Sequence, residues 1–296
     1  MGADGTVSCV TSFPSQGQGH ATTIAQLVAD RLGISMDAVR VLAVDTLAAP
    51  RGSGTFGSRG AVSMLGSAAV AAERVREKLQ ALAAHCLEAS PSDVTLEEGR
   101  AWVRGAPHRA VMLSEVTRLA YAPPPGGLPA GLSPGLEATV YFDPPGPTFS
   151  GAVHVAVVEV DRETGRVRLR RYALVEDCGP VINPLIVEGQ IHGAVAQGIG
   201  EALLEGVVYG DAGQLLTATL MDYALPKADD VPSPEIGHLE TPSPVTPGGV
   251  KGMGEGGTIG APAAIANAVA DAVRGLGVRV TRLPIRAESL VRAGVA

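Results

Sequence analysis

Hydrophobic residues recur with a helical period in six segments and alternate with polar residues in others. The helical period predicts helices at about 22–32, 61–89, 113–121, 185–204, 263–273 and 287–293. The alternating period predicts strands at 5–13, 39–44, 136–142, 151–160, 167–175, 236–240 and 278–283, two more between 94 and 111, and a hairpin at 207–219. The turn at 161–165 joins two strands as an antiparallel hairpin. We therefore expect a mixed α/β fold of the α+β class.

A segment rich in proline and glycine, residues 122–135, divides this pattern. We place a lobe boundary there, which gives a first lobe at 1–135 and a second at 136–296, each a mixed sheet with packed helices. The first strand begins almost at residue 1, so we expect that further chain precedes it or that another chain completes the lobe.

Composition excludes several classes of function. A net charge of −7 with no basic stripe argues against nucleic acid or an anionic membrane as the main partner. Three distant cysteines (Cys9, Cys86 and Cys178) suit a reducing compartment and form no zinc or iron–sulfur pattern. We see neither a secretory signal nor an apolar run of about 18 residues. We expect a cytoplasmic protein with no membrane span.

A polar loop with four glycines, residues 45–60, leads into the long helix at 61–89. The backbone N–H groups of such a loop, the positive end of the helix dipole and the Arg59 guanidinium suit an anion such as a phosphate. The spacing is neither GxxxxGK[ST] nor GxGxxG. An ordinary glycine-rich connection stays the alternative.

The helix at 185–204 contains four glycines, each of which costs about 1 kcal/mol relative to alanine. Close helix packing or close approach of a ligand must offset this cost, and glycine flanks Gln197 on its exposed side. In the strand at 151–160, His154 is more typical of a structural histidine than of a ligand.

The stretch from Val250 to Pro262 surrounds a single carboxylate, Glu255, with five glycines and then enters an apolar helix. Glycine permits close approach of a backbone or a flat ligand. A carboxylate presented in this way is a candidate general base. A turn with a solvated glutamate is the alternative.

Five motifs occur in order: GQGH (Gly17 to His20), GTFGSRG (Gly54 to Gly60), DCGPVINP (Asp177 to Pro184), QIHGAVAQGIGEAL (Gln190 to Leu203) and KGMGEGGTIGAP (Lys251 to Pro262). Over about residues 4–292 the chain resembles the C-terminal portion of the large, molybdenum-binding subunit of the xanthine dehydrogenase/aldehyde oxidase family, and most closely the large chains of aerobic carbon monoxide dehydrogenase and their relatives.

The resemblance implies that Glu255 is the catalytic base of a molybdenum hydroxylase. It also implies a site for the molybdenum cofactor, a molybdopterin whose bacterial type favours the cytosine dinucleotide form. No side chain would bind the metal, although the Gly57 backbone would lie near it. The cofactor-binding residues implied are Gly17, Gln18, Gly19, His20, Thr55, Phe56, Gly57, Ser58, Arg59, Gly60, Gln197, Lys251, Gly252 and Gly254.

The family's large subunit is far longer than 296 residues, so we expect half of an active site. The resemblance implies three partners: an N-terminal half of the molybdenum subunit, an iron–sulfur subunit and an FAD subunit. The substrate would be a small molecule: an aldehyde, an N-heterocycle or carbon monoxide. Two alternatives stay open, namely a truncated non-catalytic cofactor-binding or assembly module and a phosphate-ligand enzyme that uses the loop at 54–60.

Overall fold

The structure, a computed structural model, describes residues 1–49, 51–52 and 54–295. The chain forms two compact units. Unit 1 comprises Met1–Thr148 with Ser243–Val250, and unit 2 comprises Phe149–Pro242 with Lys251–Ala296. Both contain helices and sheets, which confirms the predicted mixed α/β fold class. The bounds of the units differ from the predicted lobes, 1–135 and 136–296, which stay a prediction about domain organisation.

Unit 1 contains two small sheets and three α-helices. In chain order its elements are β1 (Val7–Thr11), α1 (His20–Leu32), β2 (Val39–Ala43), a π-helix (Gly60–Leu65), α2 (Gly66–Leu87), β3 (Val94–Glu97), β4 (Arg100–Val103), β5 (Ala106–Met112) and α3 (Leu113–Tyr121). Strands β1 and β2 pair in parallel, whereas β3, β4 and β5 form an antiparallel sheet. Helix α2 packs against α1, α3 and the antiparallel sheet, and its apolar face is buried there.

Unit 2 is built around a three-stranded sheet, with one helix packed on the sheet and a second helix packed on the first. Its elements are β6 (Gly151–Val160), β7 (Val167–Asp177), α4 (Pro184–Leu203), β8 (Glu235–His238), α5 (Gly256–Ala272) and α6 (Ala287–Arg292). The sheet order is β6-β7-β8, with β6 antiparallel and β8 parallel to β7. Helix α5 packs against β6 and against α4. The hydrophobic core of the unit includes Tyr172 and Leu174 of β7, Ile191 and Ile199 of α4, and Ile265 of α5.

Most predicted elements are confirmed, including the helix at 113–121 and the hairpin of β6 and β7. The segment 94–111 contains three strands, not the predicted two. The predicted hairpin at 207–219 is reduced to one bridge between Tyr209 and Leu215. No described helix is long and apolar enough to cross a membrane.

Two predicted strands, at 136–142 and 278–283, are wrong. The backbone of Leu136 is satisfied by the Met1 amino group at 2.7 Å and by the Tyr121 hydroxyl at 3.2 Å, and not by a neighbouring strand. In the second segment, Val278 and Val280 contact the core of unit 2 without strand pairing. In both segments, the alternating apolar residues therefore anchor an irregular segment to the core and do not form a strand.

Candidate functional site

The predicted site residues fall into two sets, one in each unit. In unit 1, the turn before α1 depends on glycine, because Gly17 and Gly19 have φ angles of 95° and 77°. The Gly19 carbonyl accepts the Thr23 N–H at 3.1 Å and so begins the helix. The Gln18 side chain accepts the Gln16 backbone N–H at 2.5 Å, which holds it within the turn.

His20 connects this turn to the loop at 54–60. Its side chain is buried, and a Cβ on Gly60 would lie 2.9 Å from His20 Nε2 and 3.4 Å from Thr55 Cγ2. The structure thus brings His20, Thr55 and Gly60 together. Burial lowers the pKa of His20, so its imidazole is neutral at neutral pH. His20 Nδ1 and Thr55 Oγ1 are both buried without a hydrogen-bond partner.

The loop at 54–60 ends in a tight turn directly before Arg59. Gly57 and Ser58 have φ angles of 56° and 52°, the latter uncommon for a residue with a side chain. The Arg59 guanidinium lies 5.0 Å from the ring centroid of Phe56 and 5.9 Å from that of Phe13. Such cation–π contacts contribute about 0.5–1 kcal/mol at exposed sites, so the two rings orient the guanidinium.

These features suit a polar, anionic ligand, and the anion site stays a prediction. The π-helix at Gly60–Leu65 starts directly after Arg59, and the first N–H groups of a helix favour an anion. The buried atoms Thr55 Oγ1 and His20 Nδ1 still require hydrogen-bond partners. Among the described residues, no group of three or more His, Cys, Asp and Glu side chains could hold a metal ion.

In unit 2, a buried ion pair fixes the segment that leads to Glu255. The Lys251 ammonium lies 2.8 Å from Asp177 Oδ1, and its backbone N–H donates to the Cys178 carbonyl at 2.8 Å. Lys251, together with N–H donors from Thr241 and Gly179, holds the pKa of Asp177 well below its usual range. The Lys251 ammonium is thus engaged by Asp177, and a cofactor contact from it stays a prediction.

Glu255 lies at the start of α5 and is half-buried. Its carbonyl accepts the N–H groups of Thr258 and Ile259, at 3.2 Å and 3.1 Å, which begins the helix. Gly254 beside it is exposed, and a Cβ there would meet only Gln190 Oε1, at 3.5 Å. The glycines therefore leave one side of Glu255 open to an approaching molecule. Gly252, in contrast, is buried.

The four glycines of α4 divide into two kinds. Gly198 packs against α5, because a Cβ there would lie 2.5 Å from Ala261 Cβ, and Gly200 packs against Glu205 and Pro226. Gly189 and Gly193 face open space with no atom within 4 Å. Close packing thus accounts for the first pair only. The second pair lies on the same exposed side of α4 as Gln197, at four-residue spacing.

The sequence prediction missed a buried carboxyl group, Glu176. It is 1% exposed on the inward face of β7, in line with Tyr172 and Leu174, and it lies against Gly256. Burial raises the pKa of Glu176 to about 7. The predicted strand ended at Val175, one residue short. Extending the inward alternation by one residue would have identified this glutamate.

Comparison with known proteins identifies a family for this chain. Residues 1–232 match the molybdopterin cofactor-binding domain family. The nicotine 6-hydroxylase large subunit of Paenarthrobacter nicotinovorans is 46% identical over 99% of this chain and 36% of its own length. The carbon monoxide dehydrogenase large chain of Hydrogenophaga pseudoflava is 40% identical over 91% of this chain and 33% of its own.

A solved structure agrees with these relatives. The crystal structure of quinoline 2-oxidoreductase from Pseudomonas putida 86 aligns with a TM-score of 0.92 at 46% identity, covering 98% of this chain and 37% of that one. The chain spans about a third of the length of the relatives it matches. It belongs to the molybdopterin cofactor-binding domain family, as found in the molybdenum-binding subunits of the xanthine dehydrogenase/aldehyde oxidase family.

Proposed function

We propose that this chain is the cofactor-binding, base-supplying component of a molybdenum hydroxylase, an oxidoreductase that hydroxylates a small molecule with oxygen from water. The observation that carries the proposal is Glu255, half-buried at the start of α5 beside an exposed glycine. A glutamate whose backbone begins a helix and whose neighbouring glycines leave one side open suits a general base.

The residues of unit 1 fit the molybdenum cofactor. Its pterin and phosphate require hydrogen-bond donors and acceptors, and the buried Thr55 Oγ1 and His20 Nδ1 lack partners. Arg59 offers a fork of donors suited to a phosphate. We assign Gly17, Gln18, Gly19, His20, Thr55, Phe56, Gly57, Ser58, Arg59 and Gly60 to this ligand.

In unit 2 we propose Gln197, Lys251, Gly252 and Gly254 as cofactor-binding residues. Gln197 is exposed on α4 beside Gly193, where nothing obstructs a flat ligand. Lys251 acts through its ion pair with Asp177, which anchors the chain before Glu255. We propose the cytosine dinucleotide form of the cofactor, because the relatives named above are bacterial.

The chemistry is divided between cofactor and protein. When bound, the molybdenum cofactor supplies the redox centre that takes up two electrons from the substrate. Glu255 removes a proton from the attacking oxygen nucleophile, and general-base assistance of this kind contributes about 10²- to 10⁴-fold.

We infer that the substrate is an aromatic N-heterocycle. Two proteins that are 46% identical to this chain are named for nicotine and for quinoline, both of which contain a nitrogen ring. The carbon monoxide dehydrogenase relative is less similar, at 40%. An electron-poor ring carbon beside nitrogen is a suitable target for an activated oxygen nucleophile.

We also propose that an N-terminal half of the molybdenum subunit covers an exposed sheet face of unit 2. Val153, Val155 and Val157 of β6 and Val175 of β7 are 41–68% exposed, and β6 lies at the edge of its sheet. An apolar patch on an unpaired edge strand is typical of a protein interface. Iron–sulfur and FAD subunits would carry the electrons away.

The interface predicts that Val155→Asp weakens assembly with a co-expressed N-terminal half of the molybdenum subunit. A buried, unpaired charge costs several kcal/mol, so we expect at least a tenfold loss of complex on size-exclusion chromatography. Val10→Asp, at an exposed valine of unit 1, is the control. Undiminished assembly of Val155→Asp would exclude this face as the interface.

The base assignment is tested by Glu255→Gln in the assembled enzyme, with quinoline or nicotine as substrate and a dye as electron acceptor. We expect a loss of turnover of about 10²- to 10⁴-fold with molybdenum content unchanged, because glutamine keeps the shape but cannot accept the proton. Glu163→Gln, in the exposed β6–β7 turn, is the matched control and should retain full activity.

Two results would overturn parts of the proposal. Undiminished turnover of Glu255→Gln would remove the base assignment. Molybdenum bound without turnover, with any co-expressed partner and any of the named substrates, would support the non-catalytic cofactor-binding or assembly module.

A further inference from the structure

The inward face of the sheet in unit 2 carries a polar cluster beneath the first turns of α5. Glu176 is 1% exposed, and neither of its carboxyl oxygens has a hydrogen-bond partner. Its carboxyl group lies so close to Gly256 that a Cβ on that residue would overlap Oε1. Gly256 directly follows Glu255, so the buried carboxyl group touches the backbone that carries the proposed base.

Two neighbours on the same face extend this cluster. His154 Nδ1 lies 2.7 Å from the Tyr172 hydroxyl, and the His154 ring packs against Gly260, one turn further along α5. His154 Nε2 is buried without a partner, and so is Thr258 Oγ1 within the first turn. Burial lowers the pKa of His154, so this imidazole is neutral and provides no positive charge for Glu176.

The charge state of Glu176 follows from these surroundings. A carboxylate without a donor in a dry site is strongly disfavoured, and burial raises the pKa of Glu176 to about 7. The dipole of α5 favours a negative charge near its start, but no N–H group reaches either oxygen. Glu176 is therefore a neutral acid below pH 7 and becomes charged as the pH rises above it.

The other titratable groups around Glu176 do not supply a counter-charge. His154 and Tyr172 are uncharged, and burial raises the pKa of the Cys178 thiol to about 11. On β8 the register partner of Glu176 is His238, an exposed residue. The Lys251 ammonium is paired with Asp177, and Glu255 at the start of α5 is itself acidic.

We propose that Glu176 is a positioning residue for Glu255: as a neutral acid it fills the dry space beneath Gly256 and fixes the first turn of α5, and its ionisation loosens that turn. The positioning role rests on the proposed function, whereas the change in the turn does not. Ionisation draws water or a hydrogen-bond donor towards the carboxylate, and the backbone next to it is the first turn of α5.

The structural arm of the test measures amide hydrogen exchange of residues 256–259 between pH 6 and 8.5, corrected for intrinsic exchange. In the wild type we expect protection to fall at least tenfold as the pH rises through about 7. Glu176→Gln, which is neutral at every pH, should keep the turn protected throughout. Glu176→Ala should lose protection at every pH, and Glu163→Gln should behave as the wild type.

The functional arm measures the pH profile of kcat/KM for the assembled enzyme. Glu176→Gln should keep the wild-type rate at pH 6 within about twofold and lose the decline that begins near pH 7. Equal exchange and equal profiles for wild type and Glu176→Gln would overturn the proposal. If no assembly turns over, the proposed function fails, and the exchange data alone decide whether Glu176 controls the turn.

Discussion

The buried carboxyl group of Glu176 makes a prediction about stability that can be given a magnitude. Its pKa rises from an ordinary 4.5 to about 7 in the folded protein. Because the folded-state pKa is raised, the protonated form of Glu176 contributes stability that is fully present below about pH 4.5 and is lost as the pH rises through 7. By linkage, the loss in the free energy of unfolding, relative to low pH, is about 0.8 kcal/mol at pH 5 and about 3.3 kcal/mol at pH 8.

Glu176→Gln removes this pH dependence, because its amide does not titrate. Relative to the wild type, we expect the variant to gain about 2.5 kcal/mol in the free energy of unfolding between pH 5 and pH 8. Urea unfolding at the two pH values, followed by circular dichroism, measures this difference. The single tryptophan, Trp102, lies in β4 of unit 1, so its fluorescence would not report on unit 2.

The comparison of two proteins cancels the titration of every group that they share. Glu163→Gln, at an exposed glutamate in the same unit, should give a difference near zero at both pH values. If the difference between wild type and Glu176→Gln changes by less than about 0.5 kcal/mol from pH 5 to pH 8, the carboxyl group is solvated, and the reasoning from its burial is refuted.

Two further predictions concern the elements around Glu255. Gly198→Ala should destabilise the protein by about 1–3 kcal/mol, because its Cβ would overlap Ala261 of α5, whereas Gly193→Ala in the same helix should stabilise the isolated chain by up to about 1 kcal/mol. Urea unfolding of both variants checks this, and equal effects would contradict the packing. Asp177→Asn should cost about 3 kcal/mol at pH 7, because it leaves the buried Lys251 ammonium unpaired. Since the pKa of Asp177 is lowered, the ion pair stabilises the fold above the ordinary aspartate pKa, and this stabilisation is lost as the pH falls. The difference in the free energy of unfolding between wild type and Asp177→Asn should therefore be smaller in acid than at pH 7.

The helices and the long hairpin could be predicted from the sequence because local information determines them. The helix at 113–121 and the strand at 151–160 have the predicted bounds, since their apolar period is unbroken. The segments 136–142 and 278–283 alternate equally well, but a strand also needs a neighbouring strand. Leu136 is instead bonded to Met1 and Tyr121, more than a dozen residues away, and local pattern does not contain that information.

The candidate site could likewise be predicted only in part from the sequence. Motifs identified the loop at 54–60 and the glycines around Glu255, since glycine marks close approach in the sequence itself. The contact of His20 with Gly60 and the ion pair of Lys251 with Asp177 join residues that are distant in sequence, and only the fold brings them together. Glu176 was missed because a glutamate at the end of a strand normally faces water.

The π-helix at Gly60–Leu65 has a consequence for how the chain tolerates length changes. A π-helical segment is an α-helix that has accepted one extra residue, so removing a residue from 60–65 would leave a regular α-helix continuous with α2. That deletion would also turn the loop that directly precedes it, including Arg59, by about 100° around the helix axis relative to the rest of unit 1. Helix α2 would keep its own hydrogen bonds and its apolar face, whereas the Arg59 guanidinium would swing away from Phe13. The length of this segment therefore sets the direction in which the loop points, independently of which residues the loop contains.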